Sequence, residues 1–164
     1  MTVVSAAPGA APGAAPTVGD RAPDFTLAST AGEKLTLSSL RGKPVLLAFF
    51  PLAFSSTCTA ELCEMRADHD QFLARGVTVL PISVDSTYSL KEYKTKHNFR
   101  VDFLSDFRRE VSRRYEVLLE DRYYSNRAYF LIDRDGIIRW KHVEETPSHR
   151  RDDAQLFAAM DAVL

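Results

Sequence analysis

The chain has 164 residues, 45% hydrophobic and 26% charged, with a formal net charge of -1, the profile of a single globular domain with a core of its own. That near-neutral balance excludes a protein that binds by neutralising nucleic-acid phosphates, and no apolar run approaches the roughly 20 residues of a membrane span. Two cysteines, Cys58 and Cys63, are too few for a secreted disulfide scaffold, and the first 20 residues lack the basic and continuous apolar stretches of a secretory signal. The expected setting is therefore the cytoplasm. The basic pairs Arg108-Arg109, Arg113-Arg114 and Arg150-Arg151 stand among acids and read as solvated faces.

Residues 1–17 are Ala-, Pro- and Gly-rich and contain APGA twice. With little side-chain bulk to bury, this segment is expected to be a disordered tail, with one folded domain over 18–164. Pro44 opens the apolar run Val45–Phe50, which reads as a buried central strand. A polar turn, Ser55-Ser56-Thr57, follows, and from Cys58 to about Ala74 the residues Leu62, Met65, Phe72 and Leu73 recur at helical spacing before Gly76. Val77–Val84 reads as a second buried strand, Ser89 to about Asn98 as a polar helix, and Glu110 to about Tyr115 as a short one. Ala128–Ile132 predicts a third strand, which Asp133-Arg-Asp-Gly136 turns into a fourth over Ile137–Val143. Asp152–Leu164 closes the chain as an amphipathic helix with Leu156, Phe157, Met160 and Val163 on one side. Buried strands separated by helices imply an α/β layer architecture.

This order places Cys58 in the first turn of a helix, just past the end of a central strand, where open α/β sheets bind their ligands. Unpaired N–H groups and the positive end of the helix dipole favour a thiolate there, the form in which cysteine is a nucleophile. No Ser/Thr-x-x-Glu capping box accompanies the entry. On position alone, Cys58 reads equally well as a small, buried, inert thiol.

The residues around it carry a resemblance. Pro51 to Cys58, PLAFSSTC, fits Pro-x-x-x-Thr/Ser-x-x-Cys; Gly19-Asp-Arg-Ala-Pro-Asp-Phe25 and Phe103-Leu-Ser-Asp106 fit further motifs of the same family; and Arg127 directly precedes a strand that ends in Asp-Arg-Asp-Gly. In these features the chain resembles the peroxiredoxins from about Val18 to its end. The resemblance implies a thioredoxin-like α/β fold with a central mixed sheet flanked by helices, and a peroxidase that needs no metal, haem or flavin. It further implies a hydroperoxide as substrate, thioredoxin or a similar thiol as reductant, and a monomer or homodimer. It assigns Cys58 as the attacking thiolate, Arg127 and Ser55 as donors to thiolate and peroxide, and Pro51 as the shield of the loop. Glu61, whose negative charge beside sulfur would oppose the thiolate, reads either as positioning an arginine or as a plain first-turn stabiliser of the helix. Tyr129 departs from the usual threonine or serine, and Thr57 from the usual small or apolar residue.

Cys63, five positions after Cys58, has the spacing of the resolving cysteine in the peroxiredoxin Q (bacterioferritin comigratory protein) branch. Pro-Leu-Ala-Phe and Leu-Ser-Asp-Phe are similar to the one-cysteine alkyl hydroperoxide reductase E group. In an intact helix, Cα atoms five apart are about 9 Å from each other, whereas a disulfide spans at most about 7 Å. A Cys58–Cys63 bond therefore requires the helix to unwind; without that bond Cys63 is a spectator and an external thiol closes the cycle. Two other chemistries lack their residues: the four histidines and two cysteines show no metal-ligand spacing, and Cys-Thr-Ala-Glu is not the Cys-x-x-Cys of disulfide exchange. A peroxide sensor or holdase using Cys58 is the remaining non-enzymatic alternative.

Overall fold

A computed structural model describes residues 13–164. Its strands are β1 (Thr26–Ser29), β2 (Lys34–Thr36), β3 (Val45–Phe49), β4 (Thr78–Ser83), β5 (Leu104–Ser105), β6 (Leu118–Leu119), β7 (Tyr124–Ser125), β8 (Ala128–Ile132) and β9 (Ile138–Val143). Its helices are α1 (Ser56–Ala67), α2 (His69–Ala74), α3 (Thr87–His97), α4 (Glu110–Arg114) and α5 (Asp153–Val163), with a 3-10 turn at Leu37–Leu40.

Seven strands form one mixed sheet in the order β2-β1-β5-β4-β3-β8-β9, and β6 pairs with β7 apart from it. The central β3 runs parallel to β4 and antiparallel to β8. All five of its residues are buried, and they alternate. Leu46 and Ala48 join the core under α1, α2, α3 and α5, together with Phe50 just beyond the strand, while Val45, Leu47 and Phe49 join the opposite core with Phe25, Leu37, Val111 and Tyr115. This period of two is why an uninterrupted apolar run suits a strand covered on both faces; its Val, Leu and Phe side chains each contribute about 1.5–3 kcal/mol by leaving water.

The expected helix over Cys58–Ala74 is two helices. Asp68, at φ -94° and ψ 12°, ends α1 and begins α2, and its carboxylate accepts from the Gln71 side-chain amide. Leu62, Met65 and Phe72 are buried as their spacing suggests, but the break turns Leu73 outward, where it is half-exposed. Other helix ends follow their caps. The Ser86 side chain accepts from Ser89 N–H and Asn98 takes the left-handed conformation after α3; Asp152 and Gln155 form a capping box at α5.

The β8–β9 hairpin turns at Asp133–Gly136, where the Asp133 carboxylate accepts from Asp135 and Ile137 N–H. Gly136 has φ +82°, and the Arg41 guanidinium fills the place a Cβ would take. The β1–β2 hairpin and the short β5, β6 and β7 lack the periodicity that would announce them in the sequence. Of the expected tail, residues 1–12 lie outside the described residues; Pro16 is buried, and its carbonyl accepts from Lys141.

Candidate active site

The site lies where β3 ends and α1 begins. Phe50 N–H donates to Ile82 O, and Ser125 Oγ donates to Phe50 O, which holds the end of the strand. The chain then bends through Pro51–Ser55. Ala53 N–H donates to the carboxylate of Asp85, and so does Ser83 Oγ, so the end of β4 pins this loop. Pro51 is buried, and Phe54 takes a left-handed φ of 67°, a conformation unfavourable for a bulky residue. Its ring lies 4.8 Å from that of Tyr93 on α3.

Ser55 is the extended N-cap residue of α1, but it makes no side-chain cap bond; its hydroxyl donates to Leu52 O. The first-turn N–H groups, including that of Cys58, thus point out of the helix end without an intrahelical acceptor. Cys58 is 1% exposed.

Arg127, immediately before β8, reaches across the sheet end and is fully buried. Its Nη2 lies 3.2 Å from Cys58 Sγ and 3.1 Å from Pro147 O, and its Nη1 lies 2.7 Å from Glu61 Oε2. Asn126 fixes the backbone beside it, with Oδ1 accepting from Arg127 N–H and Nδ2 donating to Glu144 O. Glu61, on α1, is fully buried as well. Burial raises its carboxyl above the ordinary carboxylate range, against the lowering pull of Arg127 and Tyr129. Burial by itself would lower the Arg127 pKa, but the charges of Glu61 and Cys58 outweigh it and raise it. The guanidinium thus stays cationic, with two edges committed to a carboxylate and a sulfur.

Cys58, Glu61 and Arg127, expected from the sequence, are therefore in direct contact. Pro51 and Ser55 flank them in the loop, with the Ser55 hydroxyl turned to Leu52. Cys63 sits partly buried on the same unbroken α1, and both thiols are free. Thr57 is half-buried in the first turn. Tyr129 belongs to the cluster: its hydroxyl donates to Glu61 Oε2 at 2.9 Å and accepts from Arg151 N–H. Sequence reasoning missed Asp85, Asn126 and Pro147. Asn126 adjoins Arg127, whereas Asp85 and the Pro147 carbonyl carry no sequence signal. Among the described residues, no group of three or more His, Cys, Asp or Glu side chains is arranged to hold a metal, and no helix is long and apolar enough to cross a membrane.

The AhpC/TSA family model matches residues 18–141. Alkyl hydroperoxide reductase E of Mycobacterium tuberculosis is 40% identical over 138 residues, covering 82% of this chain and 90% of that protein. Thioredoxin peroxidase of Echinococcus granulosus is 34% identical over 150 residues, covering 85% and 77%. Among solved structures, the reduced 2-Cys peroxiredoxin of Plasmodium vivax superposes with a TM-score of 0.83 at 32% identity, over 90% of this chain and 82% of the other. Peroxidoxin BcpB of Mycobacterium tuberculosis does so with 0.81 at 26% identity, over 91% and 99%. The mixed sheet flanked by helices is the thioredoxin-like fold of these enzymes, and the chain belongs to the AhpC/TSA family, the peroxiredoxins.

Proposed function

We propose that this peroxidase reduces hydrogen peroxide and organic hydroperoxides at Cys58 and closes its cycle through Cys63. The observation that carries the reading is the Arg127 guanidinium on Cys58 Sγ, anchored by buried Glu61. The Cys58 thiolate attacks one peroxide oxygen: an S–O bond forms, the O–O bond breaks, and the departing alkoxide or hydroxide takes a proton to leave as alcohol or water. Cys58 is oxidised by two electrons to a sulfenic acid and the peroxide is reduced by two. Arg127, the α1 N–H groups and the Ser55 hydroxyl, once released from Leu52, supply donors to the oxygens that gain charge. Pro51 has no N–H and a fixed φ, so it closes the loop over sulfur without adding a donor.

The Cys63 thiol then displaces water from the sulfenic acid and a Cys58–Cys63 disulfide forms. A dithiol of the thioredoxin type reduces it, becoming a disulfide itself. The protein works in this way in the cytoplasm, as a monomer or homodimer, without a metal or organic cofactor. Steady-state peroxide consumption, coupled to thioredoxin and thioredoxin reductase and followed by NADPH oxidation, is the test. Sustained turnover supports the cycle; a single oxidation without turnover favours a sensor or holdase. Turnover with external monothiols that persists in Cys63→Ser favours a one-cysteine enzyme.

A further inference from the structure

Tyr129 stands two residues beyond Arg127, so both project to the same face of the sheet. It is fully buried, and its partners in register are Ala48 on β3 and His142 on β9. Ala48 is the smallest side chain of β3 and leaves the face open for the ring. The Tyr129 hydroxyl makes two bonds, donating to Glu61 Oε2 at 2.9 Å and accepting from Arg151 N–H at 3.1 Å. Glu61 Oε2 receives a second donor, Arg127 Nη1, at 2.7 Å; Oε1 is buried and has no partner. One oxygen, held by the phenol of β8 and the guanidinium just before it, thus carries the hydrogen bonding of this buried carboxylate.

We infer that Tyr129 is a positioning residue of the peroxidase site, its hydroxyl fixing Glu61 so that Arg127 presents Nη2 to the sulfur of Cys58. The inference rests on the proposed role of Cys58. A buried carboxylate keeps its charge and place only through the donors it has. Burial, followed by the Glu61 charge, raises the pKa of the Tyr129 phenol, so the hydroxyl keeps its proton and remains a donor.

The charged and titratable groups acting on Glu61 are Arg127 just before β8, Tyr129 on β8, Tyr93 on α3, Arg150 just before α5 and Asp153 at its start. Arg150 is engaged by Glu64, and Arg151 by Glu144. Without the phenol, Glu61 retains Arg127 alone as a hydrogen-bond donor. Burial then draws a proton onto the carboxylate at higher pH, and a neutral Glu61 loosens its hold on Nη1.

The test is single-turnover oxidation of Cys58 in a Cys63→Ser parent, where no disulfide consumes the sulfenic acid, followed from pH 5 to 9 by trapping it with dimedone and weighing the protein. It compares this parent with its Tyr129→Phe, Glu61→Gln and double variants. Phenylalanine keeps the ring and the fold, which circular dichroism and melting check. Tyr129→Phe should slow oxidation at pH 7 by about ten-fold or more, the effect of losing one hydrogen bond to a charged group, with the loss deepening as pH falls. In the Glu61→Gln background the same change should cost less than about two-fold, because the carboxylate it positions is gone. An equal loss in both backgrounds, or a Phe variant within two-fold of the parent at every pH, would make Tyr129 packing only. A Cys63→Ser parent that forms no sulfenic acid overturns the peroxidase reading, and this inference with it.

Discussion

Arg127 and Cys58 lie 69 residues apart in the chain, and Arg127 Nη2 is 3.2 Å from Cys58 Sγ in a space where both are buried. The guanidinium reaches sulfur because its other edge is held by Glu61, three residues beyond Cys58 on the same helix. Sulfur and the anchor of the arginine thus move as one unit while α1 is intact, and separate when it unwinds.

Cys58→Ser should abolish peroxide reduction, since the proposed chemistry has one nucleophile. Oxygen replaces sulfur in nearly the same volume, so melting should change by no more than a few degrees. Residual turnover above a few per cent of wild type would remove Cys58 from its role.

Arg127→Ala should slow sulfenic acid formation by about 10²–10³, the usual loss for one preorganised donor at developing negative charge. It also strands the buried Glu61 carboxylate, at a cost to stability of about 3–5 kcal/mol. Arg127→Lys retains the cation but not the fork of donors. Oxidation by the Lys variant that remains well below wild type, in a protein that melts near it, separates donor geometry from folding. Wild-type oxidation rates in both variants would return Arg127 to a purely structural part.

One equivalent of peroxide should produce a Cys58–Cys63 disulfide, found by peptide mapping. Residues five apart on the intact α1 are too distant to bond, so amide exchange should accelerate across about Thr57 to Glu64 in the oxidised form alone. Cys63→Ser should stop at a sulfenic acid that overoxidises more readily. Stable sulfenic acid in wild type, with no bridge, would make Cys63 a spectator.

Asp153, the first residue of α5, is buried with neither carboxyl oxygen hydrogen-bonded. Burial, with the charges of Glu64 and Asp68 behind it, pushes its carboxyl from 3.8 to about 7. The folded protein therefore holds a proton that the unfolded chain releases near pH 4. The resulting stabilisation is complete below that pH and is lost as pH rises through about 7. Asp153→Asn cannot ionise, so its melting temperature relative to wild type should be higher at pH 8 than at pH 5, by roughly 2–4 °C for each kcal/mol involved. Parallel melting curves for the two proteins across this range would show that Asp153 does not ionise with folding.

Much of the fold can be read in one dimension because its signals are local. The run Val45–Phe50, the Asp133–Gly136 turn and the amphipathic pattern over Asp152–Leu164 each announce their element within a few residues. The two-residue strands β5, β6 and β7 do not, since they exist by pairing with partners chosen elsewhere in the chain. Nor does the break at Asp68, where the backbone leaves helical geometry within a pattern that still reads as one helix.

The candidate site divides in the same way. Cys58 in a first helical turn after a central strand follows from local pattern, and the motif around it with Arg127 pointed to the chemistry. Tyr129 stood out in the sequence only as a departure from that motif. Its bond to Glu61 spans 68 residues and that of Arg127 to Glu61 spans 66. Side chains so distant in sequence meet only because β8 lies beside β3 and α1 covers their common face. The sequence by itself thus pointed to Cys58 as the candidate nucleophile and placed it near the start of a helix. The tertiary structure alone decided which donors and charges stand against it, because contact across a sheet depends on strand order and register, and neither is written in spacing along the chain.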